Sequence, residues 1–280
     1  MQVHRHANAE SFLKRAEPWL LQSEVENNLL LSIAGRVAEG APYGKDPPYF
    51  ATVEEEGGEI VACAVRTPPY NPLVSRAAPV AQELLFDHLM AEYTSLPGVS
   101  ALEPDARRFA ELWSARTGKL YREGMRQRLF VTRHVETLAS RPAGRLRAAT
   151  EEDIPVLAGW VEGFYADAHL PKFSDASAVA RERVSQKNLF VWDKGRPVSM
   201  AGFAGRTANG VRIQLVYTPP EHRRQGYATA TVADLTGRML GSGCIYCCLV
   251  TDLANPTSNH IYETIGYRPV SDMGEYVFGE

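Results

Sequence analysis

The stretch Val216-Tyr217-Thr218-Pro219-Pro220-Glu221-His222-Arg223-Arg224-Gln225-Gly226-Tyr227-Ala228-Thr229-Ala230 constrains this chain more than any other. It reads as a strand end, a proline-stiffened basic loop and a glycine at the first turn of a helix. Amides at a helix N-terminus lack partners inside the helix, and the dipole adds positive character, so such a junction receives phosphate. Gly226 lets an oxygen approach the backbone where a Cβ would intrude, and Ala228 keeps the next turn small. Arg223 and Arg224 add charged donors. The residues of a P-loop and of a Gly-x-Gly-x-x-Gly dinucleotide turn are missing. On spacing alone, a solvated basic turn that only caps a helix is the plain alternative.

The surrounding pattern places this junction in an alternating α/β unit. Thr150-Glu151-Glu152-Asp153 resembles a capping box ahead of an apolar stripe at Ile154, Leu157, Val161, Phe164 and Tyr165. A shorter helix over 176–186 leads to Leu189-Phe190-Val191-Trp192, the turn Asp193-Lys194-Gly195-Arg196 and a strand over 198–204. Asn209-Gly210 signals a second hairpin into a strand over 211–217. A helix over 226–240, the apolar tract Cys244 to Val250, a helix opened by Asn255-Pro256 and a closing strand around Tyr276-Val277-Phe278 follow. A short strand at 144–147 opens the unit.

The first half repeats this order weakly. Helices over 9–21 and 25–36 precede strands at Tyr49-Phe50-Ala51-Thr52-Val53 and Ile60 to Thr67, and Pro79 opens a further helix. A helix from Pro104 ends at Thr117-Gly118, as Ile261 to Ile265 ends at Gly266. The shared order predicts two related domains, 1–135 and 145–280, joined by a polar segment. The fold class is α/β with a mixed, mostly antiparallel sheet flanked by helices in each domain.

Composition excludes several functions. The chain has 280 residues, 30 Lys+Arg against 33 Asp+Glu, and a formal charge of −3, without the surplus of a duplex nucleic-acid binder. No apolar run approaches the ~20 residues of a membrane span, and no signal core follows Met1, so a cytoplasmic location is expected. Cys244-Ile245-Tyr246-Cys247-Cys248 contains a CxxC, but on a strand residues three apart face opposite sides, so Cys244 and Cys247 cannot share a metal. These are small core residues, and no metal is expected.

Arg223-x-x-Gly226-x-Ala228 after Val216-Tyr217-x-Pro219 resembles the pyrophosphate loop of the GNAT superfamily of acetyl-CoA-dependent N-acyltransferases. The segment Asn255-Pro256-Thr257-Ser258-Asn259-His260-Ile261-Tyr262-Glu263-Thr264-Ile265-Gly266-Tyr267 resembles the family's closing helix and strand. The resemblance covers residues ~145–280 and departs from the common pattern at Arg224, where many members carry Gly.

The resemblance implies acetyl-CoA as co-substrate and an amine, on a small molecule or a peptide, as acceptor. It implies that the backbones of Leu215, Val216, Tyr217 and Thr218 pair with the pantetheine arm. The amides of Arg224, Gln225, Gly226, Tyr227, Ala228 and Thr229 would hold the pyrophosphate. Asn255 would approach the pantetheine, with Ser258 close by; Asn255 before a proline is also a good N-cap, and the two roles are compatible. Tyr262 would protonate the leaving thiolate, a task suited to a phenol of pKa ~10 beside a thiol of ~8.5.

No general base stands out. Gln214 cannot accept a proton, and Asp252, Glu162 and Asp167 read first as surface or capping carboxylates. His222 and His260 read as loop histidines. A CoA-binding sensor without turnover is the alternative function. In the first half, Arg66-Thr67-Pro68-Pro69-Tyr70-Asn71-Pro72 replaces amide donors with prolines and offers no glycine before Pro79, so that domain is expected to be a degenerate copy.

Overall fold

Two runs of one element order make up the chain, and the computed structural model describes them over residues 1–41, 44, 46–168 and 175–279. The first run is β1 (Gln2–Arg5), α1 (Ala9–Leu20), α2 (Asn28–Ala38), β2 (Tyr49–Glu54), β3 (Ile60–Arg66), β4 (Leu73–Val74), α3 (Pro79–Glu92), β5 (Gly98–Leu102), α4 (Asp105–Thr117) and β6 (Tyr121–Thr132). The second is β7 (Arg145–Ala148), α5 (Ile154–Asp167), α6 (Ala176–Ser185), β8 (Leu189–Asp193), β9 (Pro197–Ala204), β10 (Gly210–Tyr217), α7 (Tyr227–Gly241), β11 (Tyr246–Asp252), α8 (Pro256–Ile265) and β12 (Arg268–Phe278). Each run therefore reads βααβββαβαβ. The chain divides into two compact units, Met1–Leu129 with Val270–Glu280, and Phe130–Pro269.

Local chemistry sets the helix starts. Asn8 caps α1, its side chain accepting from the Ser11 amide at 2.9 Å while the Ser11 hydroxyl accepts from the Asn8 amide at 3.3 Å. Thr150 and Asp153 form the capping box read in the sequence, with a 3-10 turn over Glu151–Asp153 before α5. Arg147 bridges Asp153 at 2.6 Å and Asp193 at 2.7 Å, fixing β7 against the start of α5 and the end of β8.

The first unit's strands run in the order β1-β2-β3-β4-β5-β12, antiparallel except for β4 beside β5. Both faces are buried, so β2 lacks the usual polar alternation. Phe50, Cys63 and Val65 pack against Phe12, Leu20 and Leu30 on the α1/α2 side. Tyr49, Ala51 and Val53 pack with Leu85, Leu89, Phe109 and Trp113 on the α3/α4 side.

The second unit repeats the arrangement with β11-β10-β9-β8-β7, where β10 and β11 are the parallel pair. Leu189, Val191 and Met200 face α5 and α6. Phe190, Ala201, Val211, Ile213 and Cys247 face α7 and α8. Cys244, Cys247 and Cys248 are buried and unbridged, and no group of metal-ligating side chains occurs among the described residues.

One sequence expectation requires correction. The sequence order places the closing strand around Tyr276-Val277-Phe278 in the second domain, yet β12 pairs with β5 from Met273↔Leu102 to Val277↔Gly98. Residues 270–280 therefore belong to the first unit's sheet. Periodicity marks a strand but carries no information on which edge it joins. The physical reason for this choice is burial: Phe278 stacks on Trp113 with centroids 4.3 Å apart, and Tyr276 is 2% exposed in the same core.

This assignment predicts that Phe278→Ala destabilises the first unit, although residue 278 lies 149 positions beyond Leu129. Truncating a buried Phe costs roughly 3–5 kcal/mol. Denaturant unfolding followed by Trp113 fluorescence should show that loss, and an unchanged midpoint would contradict the assignment.

Candidate active site

The site of interest begins where β10 leaves β11. Their parallel ladder runs from Gly210↔Tyr246 through Val211↔Cys247 to Arg212↔Cys248, while β10 itself continues to Tyr217. On its other side β10 stays paired with β9, but the register shifts between Gln214 and Tyr217. Leu215 sits inside that shift with φ +51°, an unusual backbone for a branched side chain, and is 6% exposed. A bulge bends its strand, and no ladder pair joins β10 to β11 beyond Arg212 among the described residues, which leaves a gap between the two parallel strands at their C-terminal ends. Such gaps are where open α/β sheets take ligands.

Backbone groups at the gap are unequally committed. Ser199 Oγ donates to the Tyr217 carbonyl at 3.2 Å and bonds Thr218 Oγ1 at 2.8 Å. Arg223 Nε donates to the Thr218 carbonyl at 2.9 Å. No side chain among the described residues bonds the backbone of Leu215 or Val216. The Tyr217 ring lies against α5 so closely that a Cβ on Gly163 would sit 2.3 Å from its hydroxyl.

Past the gap, a 3-10 turn over Pro220–His222 leads into two left-handed residues, Arg224 (φ +59°) and Gly226 (φ +79°). Two left-handed residues this close together turn the chain sharply into α7. Gly226 is the N-cap of α7 and provides no side-chain cap. The first intrahelical bond runs from the Ala230 amide to the Gly226 carbonyl at 3.0 Å. Among the described residues, no hydrogen bond uses the amides of residues 224–229, which form the N-terminal rim of the helix.

The two arginines differ. Arg223 is held by Thr218, by Asp167 at 2.5 Å, and over the Tyr217 ring at 5.7 Å. It ties the loop to the end of α5, and what it offers an anion is position. Arg224 is exposed and makes no ion pair among the described residues.

From the β11 side, Asn255 caps α8, its Oδ1 accepting from the Ser258 amide at 3.0 Å. Tyr262 lies two turns further along, on the same face of α8 as Asn255. Its ring contacts Phe130 and Tyr267 at centroid distances of 6.5 and 6.1 Å. Tyr262 and Tyr267 make an informative pair. The Tyr267 hydroxyl bonds Thr236 Oγ1 at 2.8 Å, whereas no group among the described residues bonds the Tyr262 hydroxyl. Burial pushes the Tyr262 phenol up to about 12, so it keeps its proton across the neutral range.

The carboxylates considered as bases have other tasks. Asp167 pairs with Arg223, and Asp252 accepts from the Ala254 amide at 2.8 Å in the turn after β11. Glu162 is exposed on α5, and His222 packs edge-on to Tyr227. The Gln214 amide, turned to satisfy both groups, accepts from Arg183 at 3.0 and 3.2 Å.

The sequence reading missed the Leu215 bulge, Ser199 and the Asp167–Arg223 tie. Of these surroundings only Gly163, a glycine inside a helical pattern, carried a signal for close packing.

Comparison with known proteins agrees with this architecture. Residues 147–267 match the Acetyltransferase (GNAT) family. No curated protein sequence matches the chain. Among solved structures, a Drosophila protein aligns over 99% of this chain and 98% of its own, with TM-score 0.68 and 13% identity. A GNAT-family acetyltransferase from Colwellia psychrerythraea covers 100% of both chains at TM-score 0.59 and 12% identity. A tandem GNAT protein from the clavulanic acid biosynthesis pathway covers 100% of this chain and 99% of its own, at TM-score 0.57 and 11% identity. The chain thus has the fold of tandem GNAT proteins, and it is over residues 147–267 that its sequence matches the GNAT acetyltransferase family.

Proposed function

We propose that the second unit transfers an acetyl group from acetyl-CoA to a primary amine by direct attack. What supports this reading is that the second unit combines a β10 backbone unpaired with β11 beyond Arg212, an amide-rich N-terminus of α7 and, on α8, a phenol without a hydrogen-bond partner among the described residues. The pantetheine arm enters the gap as an extra strand against Leu215 and Val216, extending toward Tyr217 and Thr218. The pyrophosphate rests on the amides of Arg224, Gln225, Gly226, Tyr227, Ala228 and Thr229, with the Arg224 guanidinium adding charge. Asn255 and Ser258 approach the arm from α8. The thioester then lies toward Tyr262.

The chemistry is a tetrahedral addition and collapse. A neutral amine attacks the thioester carbonyl, the carbon–sulfur bond breaks, and Tyr262 delivers its proton to the departing thiolate. The amine's surplus proton leaves to water, since the nearby carboxylates are already paired. Four buried free thiols fit a reducing compartment, which supports a cytoplasmic location.

A sensor that binds CoA without turnover is the second reading, favoured by the engaged state of Asp167 and Asp252. Incubating the protein and acetyl-CoA with a panel of amines, and measuring free CoA thiol, separates the two. Acceptor-dependent thiol release supports the enzyme; tight acetyl-CoA binding without release by any amine supports the sensor.

Three outcomes follow from the geometry. Gly226→Asp should fold, because Asp tolerates the left-handed region and is a favourable N-cap. Its carboxylate would occupy the pyrophosphate position, so calorimetry should show acetyl-CoA binding lost; wild-type affinity in a folded variant would remove the loop from the site.

Tyr262→Phe should keep acetyl-CoA affinity and lower turnover by ~10²–10⁴, the usual worth of a general acid. With the wild-type phenol near 12, the rate should rise with pH as the acceptor amine loses its proton and then level off. A fall near neutral pH would show that another group is the acid.

Titration of the intact chain should saturate near one equivalent of CoA. The first unit replaces amide donors with Pro68, Pro69 and Pro72 and has no glycine between Arg66 and Pro79. Two tight equivalents would show a second working site.

A further inference from the structure

The two units differ most at the same place in their folds, the pair of exits from the parallel strands. In the second unit the exits are residues 218–226 after β10 and 253–255 after β11. Among the described residues, no hydrogen bond joins them. In the first unit the exits are residues 75–78 after β4 and 103–105 after β5, and they are stitched together around one carboxylate.

Asp105, the first residue of α4, is 3% exposed. Its Oδ1 accepts from the Ala77 amide at 3.4 Å, from Gln82 Nε2 at 2.9 Å and from Arg108 Nη1 at 3.3 Å. Gln82, in the first turns of α3 and 1% exposed, donates also to the Asp105 carbonyl at 3.3 Å. Arg108 reaches across to the Ala77 carbonyl at 3.3 Å and to Gln82 Oε1 at 3.4 Å. The Ala77 amide of the β4 exit, Gln82 of α3 and Arg108 of α4 are thereby turned onto this one side chain or its neighbours, while Arg76 of the same exit pairs with Glu26.

We propose that Asp105 is a built-in anion that fills, in the first unit, the strand mouth which the acyl donor enters in the second. The equivalence of the two mouths rests on the donor-site reading given above; the clasp itself rests on the first unit's geometry. A carboxylate oxygen is supplied by the chain where a diffusing ligand would otherwise meet a backbone amide, an amide side chain and a guanidinium, although burial disfavours its charged form. On the α3/α4 side of this mouth the anion position is thereby taken by the chain itself, in addition to the lack of a glycine-bearing loop; the α2 side keeps a pocket lined by Leu30, Val74, Ser75 and Ala101. The chain therefore keeps two copies of one fold and a single donor mouth.

If Asp105 is an occupant, removing it should create a site for a free carboxylate of the missing size. Asp105→Ala should lose several degrees in melting temperature and recover part of that loss in sodium formate, whose carboxylate fits the space left. Asp105→Gly should prefer acetate, which restores the methylene as well. Sodium chloride at equal ionic strength, and the wild-type protein in either carboxylate, supply the baseline.

Size-matched rescue above that baseline supports the clasp; rescue that ignores anion size, or none, overturns it. Should both Asp105 variants fail to fold even with carboxylate present, Gln82→Met decides, since it keeps volume and removes the shortest bond to Asp105. In that variant, amide exchange over residues 75–78 and 103–108 should speed by about tenfold while the rest of the unit is unchanged. Unaltered exchange there overturns the proposal. A CoA titration of the wild-type chain runs alongside: absence of any CoA binding refutes the donor-site reading and leaves the rescue result standing on its own.

Discussion

The departure of β10 from β11 after Arg212 is the constraint on which the rest of the second unit depends. A parallel pair left fully zipped would satisfy its own backbone and leave no room between the strands. Just beyond the end of that ladder the register of β10 on β9 shifts at Leu215, where an unusual φ accompanies a buried side chain. Everything downstream takes its position from the bend: Tyr217 against Gly163, Thr218 under Arg223, and the loop whose amides crown α7. Arg223 illustrates the division between fixing a site and serving it. Its charge is used internally, on Asp167 and a carbonyl, so that the neighbouring amides stay open.

The same frame in the first unit was put to a different use. There β4 is two residues long, pairs with β5 at Leu73↔Ser100 and Val74↔Ala101, and passes directly into a clasp of buried polar groups. Asp105, Gln82 and Arg108 satisfy one another, which is how a polar cluster is tolerated within a packed core. One fold thus supports two states of the same mouth, and the difference lies in a handful of side chains.

Much of this was legible in the sequence because it is local. The glycine at the α7 start, the Asn-Pro opening of α8, the capping box at Thr150 and the alternating burial of Leu189, Phe190 and Val191 all follow from near neighbours. What escaped was set by distant partners. Periodicity identified a strand around Tyr276 but not its pairing with β5; the ladder position of Leu215 depends on β9; and the hydroxyls of Tyr262 and Tyr267 differ only because Thr236, on another helix, meets one of them. Asp105 reads in sequence as an ordinary first-turn acid, and only the β4 exit folded over it gives it a second meaning.

The pairing of β12 with β5 also has a consequence in time. During synthesis the first 129 residues emerge early, with helices and five strands ready to pack, yet Trp113 must wait for Phe278. Domains made first commonly finish first. Here the earlier half stays open along β5 until residues 270–278 have left the ribosome, so both halves reach completion together, and a ribosome that stalls in α8 releases a chain in which neither is finished.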